Sequence, residues 1–163
     1  MPATTKVPLG APTTNRKWFL DVSVDDGTTW IGVFGITEYK PGTEGSMQDD
    51  TDFDSDGWGS EANTLNRWKN EGKCSRKSLA SDETTYDPGQ EIIREAGSKT
   101  GTGNVIQCRW YEMEPGGPRV EAYQGKAAVS WTEDGGGVEA LSTASFVLSG
   151  RGKRNEIAHP AAA

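Results

Sequence analysis

Polar and apolar residues alternate cleanly over residues 17–24 (KWFLDVSV), which puts Trp18, Leu20, Val22 and Val24 on one face of an extended strand. Asp25-Asp26-Gly27 then offers hairpin chemistry, with Gly27 free to take a positive φ. The chain returns as TTWIGVFGITEY over 28–39, where Trp30, Phe34 and Ile36 share a face with Gly32. Further strands are predicted over 66–80, interrupted at Gly72, and over 104–114, with Ile106, Cys108 and Trp110 on one side. Residues 119–131 read as a strand with a bulge near Gly125, because the apolar positions shift from Val120 and Ala122 to Ala127, Val129 and Trp131. A last strand, 143–150, places Ala144, Phe146 and Leu148 together.

One segment has helical character. PGQEIIREAG, roughly residues 88–97, carries an apolar stripe of Ile92, Ile93 and Ala96. Asp87 suits its N-cap, Pro88 its first turn, Glu91 the dipole, and Gly97 its end. Residues 40–63 have no apolar period and predict a long loop, a feature usually functional or disordered. Residues 1–16 hold three prolines and read as a flexible arm, and 156–163 as a flexible tail. The expectation is one mainly β domain over 17–155, a β-sandwich or barrel with one flanking α-helix and a long acidic loop.

Composition adds a constraint. Of 163 residues only 33% are hydrophobic, which makes a thin core, yet six Trp, four Tyr and four Phe argue against disorder. Thin cores are commonly completed by a partner, so association is expected. Cys74 and Cys108 fall in strand-like segments and read as buried reduced thiols. No apolar run is long enough to span a membrane, and residues 1–16 lack the apolar core of a secretory signal.

A search for catalytic equipment finds little. His159 is the single histidine and lies in an Ala/Pro tail, where no packed neighbour is expected to orient it. Glu112, Glu114 and Glu121 flank strands and read as exposed-face residues, not as a glycosidase pair. No nucleophile elbow, zinc motif or phosphate loop occurs, so no enzyme and no cofactor is expected. Asp52-Phe53-Asp54-Ser55-Asp56-Gly57 reproduces the first half of a calcium loop, making Asp52, Asp54 and Asp56 a calcium-like set. The twelfth position, however, is Asn63 where the cage needs a bidentate glutamate, and a solvated acidic loop is the better reading.

The charge map is more telling. Residues 44–61 hold seven acids and no base, equal to the formal net charge of −7 of the whole chain. Residues 62–80 carry Arg67, Lys69, Lys73, Arg76 and Lys77 against Glu71. These two segments could neutralise each other inside one subunit or between identical subunits in a repeating contact. Trp58, with Phe53, sits in the acidic segment as a potential anchor for a partner surface.

In its order of features the chain resembles the major tail proteins, or tail tube proteins, of long non-contractile-tailed bacteriophages, in the short form without an added immunoglobulin-like domain. The matching elements are the N-terminal arm, the early hairpin KWFLDVSVDDGTTWIGVFGITEY, the long loop, the single helix near PGQEIIREAG and the final strand TASFVLSGRGKRNEI. The resemblance implies six copies per ring, rings stacked into a tube, inner strands joined into one barrel, and a lumen that carries DNA at ejection. It implies a virion protein, made in the bacterial host cytoplasm, that binds copies of itself and meets tape measure, tail-tip and terminator proteins, while DNA passes without sequence-specific binding. By position it assigns residues 40–63 and the 1–16 arm to stacking. On that basis Asp49, Asp50, Asp52, Asp54 and Asp56 would dock near Arg67, Lys69, Lys73, Arg76 and Lys77 of the next ring, with Trp58 buried at the contact. An acidic balance suits a conduit that must not hold phosphate. The alternatives are another ring-forming phage protein, a tail terminator or head-completion protein, or a monomeric carbohydrate- or calcium-binding β-sandwich module.

Overall fold

The computed structural model describes residues 4–160; the outermost residues of the expected arm and tail, 1–3 and 161–163, lie outside the described residues. Seven strands form one antiparallel path in the order β2-β1-β5-β6-β7-β4-β3: β1 (Trp18–Ser23), β2 (Ile31–Gly32), β3 (Ile36–Asp49), β4 (Glu61–Ser75), β5 (Val105–Glu112), β6 (Ala122–Glu133) and β7 (Thr143–Gly150). A short β8 (Asn155–Glu156) adds to β6, and one helix, α1 (Pro88–Gly97), follows β4.

The two ends of this path are joined by a single stretch of chain. Val33 N donates to Leu20 O (2.9 Å), continuing the pairing of β2 with β1. Two residues later Ser75 N donates to Gly35 O (2.8 Å), and from there the chain pairs with β4. One strand therefore changes partner at residues 33–35, turning on Gly35 at φ 79°, and closes the sheet into a barrel.

The helix is seated on that change-over. Asp87 Oδ2 accepts from Gln90 N (3.1 Å) as the N-cap and also from Phe34 N (3.2 Å). Gln90, fully buried, donates through Nε2 to Phe34 O (2.6 Å) and Ser75 O (3.1 Å). Arg76 holds Gln90 Oε1 (3.1 Å) and Glu91 Oε1 (2.8 Å) while lying 3.9 Å over the Tyr86 ring. Ile93 and Ala96 then point into the core.

That core is small and aromatic. Trp68 and Trp110 pack with ring centroids 4.9 Å apart, surrounded by Leu20, Val22, Ile106, Phe146, Leu148 and small residues such as Ala127 and Ala144. The Trp68 indole donates to Gly152 O (3.1 Å) and lies flat against Gly125, where a Cβ would come within 2.6 Å of Cζ2. Burial pushes the Cys74 thiol up to about 11 and the Cys108 thiol higher still, and both are free and buried.

Several expectations need correction. The predicted loop over 40–63 is mostly strand: β3 runs to Asp49 and β4 begins at Glu61, leaving only 50–60 as loop. Both strands lack apolar alternation there because neither face of that part is buried. The first hairpin is present, with Asp26 (φ 62°) and Gly27 (φ 85°) in its turn. Its return is broken into β2 and β3, and Val24 and Phe34 are exposed, Phe34 by 73%. There is no bulge at Gly125: the register of β6 with both β5 and β7 is unbroken, and Gly125 serves to admit Trp68. Residues 119–121 and 76–80 lie outside the strands. Glu112 is buried, its carboxylate 3.6 Å from Lys17 Nζ. The segment after 154 is docked: Ile157 N donates to Ala122 O (3.0 Å). His159 Nε2 lies 2.7 Å from Glu112 O, with its ring edge-on to Tyr111.

Two outcomes are expected. Gly125→Val drives a branched side chain into Trp68 and should lower the unfolding free energy by about 1–3 kcal/mol, read from denaturant midpoints. Hydrogen bonds from Arg94, then Arg76, hold Glu91 below its ordinary value near 4.5, so its stabilisation is present above that pH and lost as pH falls through the lowered folded value. Glu91→Gln should therefore flatten the loss of melting temperature between about pH 5 and pH 3.

Candidate functional site

β7 covers β4 only from Lys69 to Ser75. Beyond Lys69, β3 and β4 continue as partners of each other alone, through Glu44 opposite Arg67 and on to Asp49 opposite Glu61. The result is a two-stranded ribbon, some 25 Å long at about 3.4 Å per residue, leaving the body at the end where β7 terminates. Among the described residues no strand pairs with the outer edge of β3. A sheet edge of fourteen residues with unpaired backbone groups is a template for another chain unless something covers it.

The loop at the ribbon tip is tied together locally. Asp49 Oδ1 accepts from Thr51 N (2.9 Å), and Asp52 Oδ1 accepts from Asp54 N (3.0 Å) and Ser55 Oγ (3.0 Å). Asp56 (φ 54°) and Gly57 (φ 79°) make the turn, and Trp58 N donates to Ser55 O (3.0 Å). The tip thus presents Phe53 and Trp58 outward, Trp58 78% exposed, among Asp50, Asp52, Asp54 and Asp56. The carboxylates do not converge: among the described residues no three acidic, histidine or cysteine side chains lie close enough to hold a metal ion, and Asp52 Oδ1 accepts from its own turn.

The basic residues separate into different environments. Arg67 stands on the ribbon opposite Glu44. Lys69 pairs with Glu71 (3.0 Å) on the outer face of β4, and Lys73 stands exposed opposite Glu38. Arg76, its side chain only 5% exposed, is consumed by Glu91 and Gln90, and Lys77 is exposed just past β4. Lys73 and Lys77 lie at the end of the sheet opposite to the ribbon.

The outer face of the β6-β7-β4-β3 sheet is small and hydroxyl-rich. Ser130 and Thr132 of β6, Ser145 and Ser149 of β7, and the alternating Lys69, Glu71 and Lys73 of β4 are cross-strand neighbours there. Asp134 accepts from Thr143 Oγ1 (2.7 Å) and Ser145 Oγ (2.7 Å), which holds its carboxyl below the usual range. This face and Gln90 escaped the sequence reading; period-two Ser/Thr positions on β6 and β7 were the available signal for the face.

No protein-family model matches the chain, and no curated protein matches it by sequence. Solved structures do. A subunit from the six-fold symmetric tail of an empty gene transfer agent particle superposes with a TM-score of 0.65 at 13% identity, covering 89% of this chain and 98% of that one. The SPP1 tail tube protein superposes at 0.64 with 16% identity, covering 90% and 80% respectively. A chain of the anti-feeding prophage baseplate gives 0.61 at 4% identity, covering 96% and 99%. The likeness is one of fold, shared with chains of a gene transfer agent tail, a tail tube and a baseplate.

A two-stranded ribbon without a third strand or a packed face is only marginally ordered on its own. In the isolated protein, backbone amides of 42–48 and 62–67 should exchange much faster than those of 69–75. Equal protection, measured by hydrogen exchange, would mean that the ribbon is already covered.

Proposed function

We propose that this protein is the repeating subunit of a phage-like tail tube: a structural virion protein, not an enzyme, that forms six-membered rings stacked into a conduit for DNA. The observation that carries this reading is the free fourteen-residue edge of β3 on a fold that elsewhere builds six-fold symmetric tails. Such an edge gains its missing hydrogen bonds when a neighbouring copy adds a strand to it.

The body and the ribbon take separate parts in this assembly. The sheet β6-β7-β4-β3 faces the lumen with its hydroxyl-rich outer surface, where bases and acids alternate (Lys40 opposite Glu71, Glu38 opposite Lys73). A surface without a continuous basic track releases few counterions on meeting phosphate, so DNA slides without being held. The ribbon tip reaches the next ring. Its Asp52, Asp54 and Asp56 approach Lys73 and Lys77, which lie at the end that a stacked ring would offer, and Trp58 with Phe53 is buried at the contact. Arg76 takes no part, because its guanidinium is already satisfied inside the subunit. Residues 4–14, without regular structure and with Val7 and Leu9 exposed, contribute further stacking contacts. Tape measure, tail-tip and terminator proteins are the natural partners at the two ends of such a tube.

Negative-stain microscopy of the purified protein should show rings or tubes at high concentration. The triple variant D52N/D54N/D56N should impair stacking while its monomer melts at the wild-type temperature, since the tip is exposed and adds little to monomer stability. A wild-type protein that stays a rigid single-chain particle, or a triple variant that forms normal tubes, would overturn the respective part of this reading.

A further inference from the structure

The end of β5 and the start of β6 bring two acids together. Glu112 N donates to Glu121 O (2.9 Å), and the two carboxyls are hydrogen-bonded to each other. Two carboxylates repel, so a hydrogen bond between them requires that one keeps its proton. Glu112 is the holder. Its side chain is only 6% exposed, and burial, then the bond to Glu121, raises its carboxyl above the ordinary value near 4.5. Glu121, half-buried, is the acceptor: the bond from Glu112 holds it below that value, and Tyr123 OH also donates to its Oε1 (3.0 Å).

Other charges surround the pair. Lys17 Nζ, from the turn before β1, stands 3.6 Å from Glu112 Oε1. Arg154, stacked 3.9 Å over Tyr123, adds positive charge on the Glu121 side. Glu114 and Arg119, in the connection between the two acids, lie 3.9 Å apart. Tyr111 and Tyr123 stay neutral phenols, since burial raises both. Glu156, opposite Tyr123 on β8, and His159 complete the set.

The tail is fastened to the same two strand ends. Asn155 and Glu156 pair with Gln124 and Tyr123, Ile157 N donates to Ala122 O (3.0 Å), and His159 Nε2 lies 2.7 Å from Glu112 O. The tail therefore follows β6 to its first residue and then reaches the last residue of β5. A carbonyl only accepts, so Nε2 carries a proton in that contact, which survives in either charge state of the ring.

We propose that the Glu112–Glu121 pair is a proton-operated clasp for the tail 155–160. While the pair shares a proton, β5 and β6 keep their ends together and present Ala122 O and Glu112 O to the tail. When the proton leaves, two anions face each other beside Lys17. Glu121, the more exposed, turns to water, the strand ends part and the tail is released. A raised carboxyl contributes stability that is fully present below its ordinary value and is lost as pH rises through the folded value. The clasp thus holds in acid and opens toward alkaline pH.

Amide hydrogen exchange at Ile157, expressed as a protection factor so that the intrinsic pH dependence cancels, reads the clasp directly. Wild-type protection should fall about tenfold from about pH 5 to about pH 8, while that of Phe146 in β7 holds. E112Q, whose amide still donates to Glu121, should keep Ile157 protected throughout. It should melt above wild type at about pH 8 and level with it near pH 5. E121Q also removes the facing charges and should flatten the profile, which keeps the test decisive should E112Q misfold. H159Q should lower protection at every pH and retain the fall. A wild-type profile without a fall, a fall of wild-type size in folded E112Q or E121Q, or one abolished by H159Q would overturn the clasp. The clasp belongs to the single chain, so none of these outcomes bears on the tail-tube reading.

Discussion

Everything in this fold is arranged around the change of partner at residues 33–35. A strand that leaves β1 for β4 strands its own backbone between two ladders, and buried backbone groups left unpaired are costly. Asp87 and Gln90 take up the Phe34 N–H and C=O, and Gln90 adds the Ser75 carbonyl. A three-residue irregularity thus fixes the seat of the helix and the closure of the sheet. It also sets the direction in which β3 runs out of the body, and from that follow both the free edge and the ribbon.

The core needs few large residues because it packs aromatic rings onto glycine. Trp68 lies against Gly125, and Phe146 against Gly72, so a broad ring touches backbone where a third layer of aliphatic side chains would otherwise be required. Aromatic side chains bury roughly 150–250 Å² each, which lets a chain poor in leucine and isoleucine close a stable body. What remains incomplete is the edge of β3 and both sides of the ribbon. The shortage of apolar residues therefore falls on the projecting part.

Charge is distributed by the same geometry. Within the body, acids and bases alternate along β4, as with Lys69 and Glu71, and across to β3, where Lys40 stands opposite Glu71 and Glu38 opposite Lys73. Arg76 is drawn inward to complete the helix seat. The unbalanced charge is exported: negative to the ribbon and its tip, positive to the 151–154 turn and to Lys73 and Lys77 at the opposite end.

Local chemistry was enough to determine the helix Pro88–Gly97 with its Asp87 cap, the inward faces of β5 and β7, the buried thiols and the concentration of acid in 44–61. Each depends on neighbours within a few residues or on a regular period, which a linear chain displays directly. Tertiary structure alone decided that 40–49 is strand, since strands solvated on both faces carry no apolar alternation to read. It also decided that Gly125 makes room for Trp68 instead of marking a bulge, that Arg76 is withdrawn from the surface, and that His159 is docked against Glu112 and Tyr111. In each of these the partner lies far away in sequence, and its approach exists only once the sheet has closed.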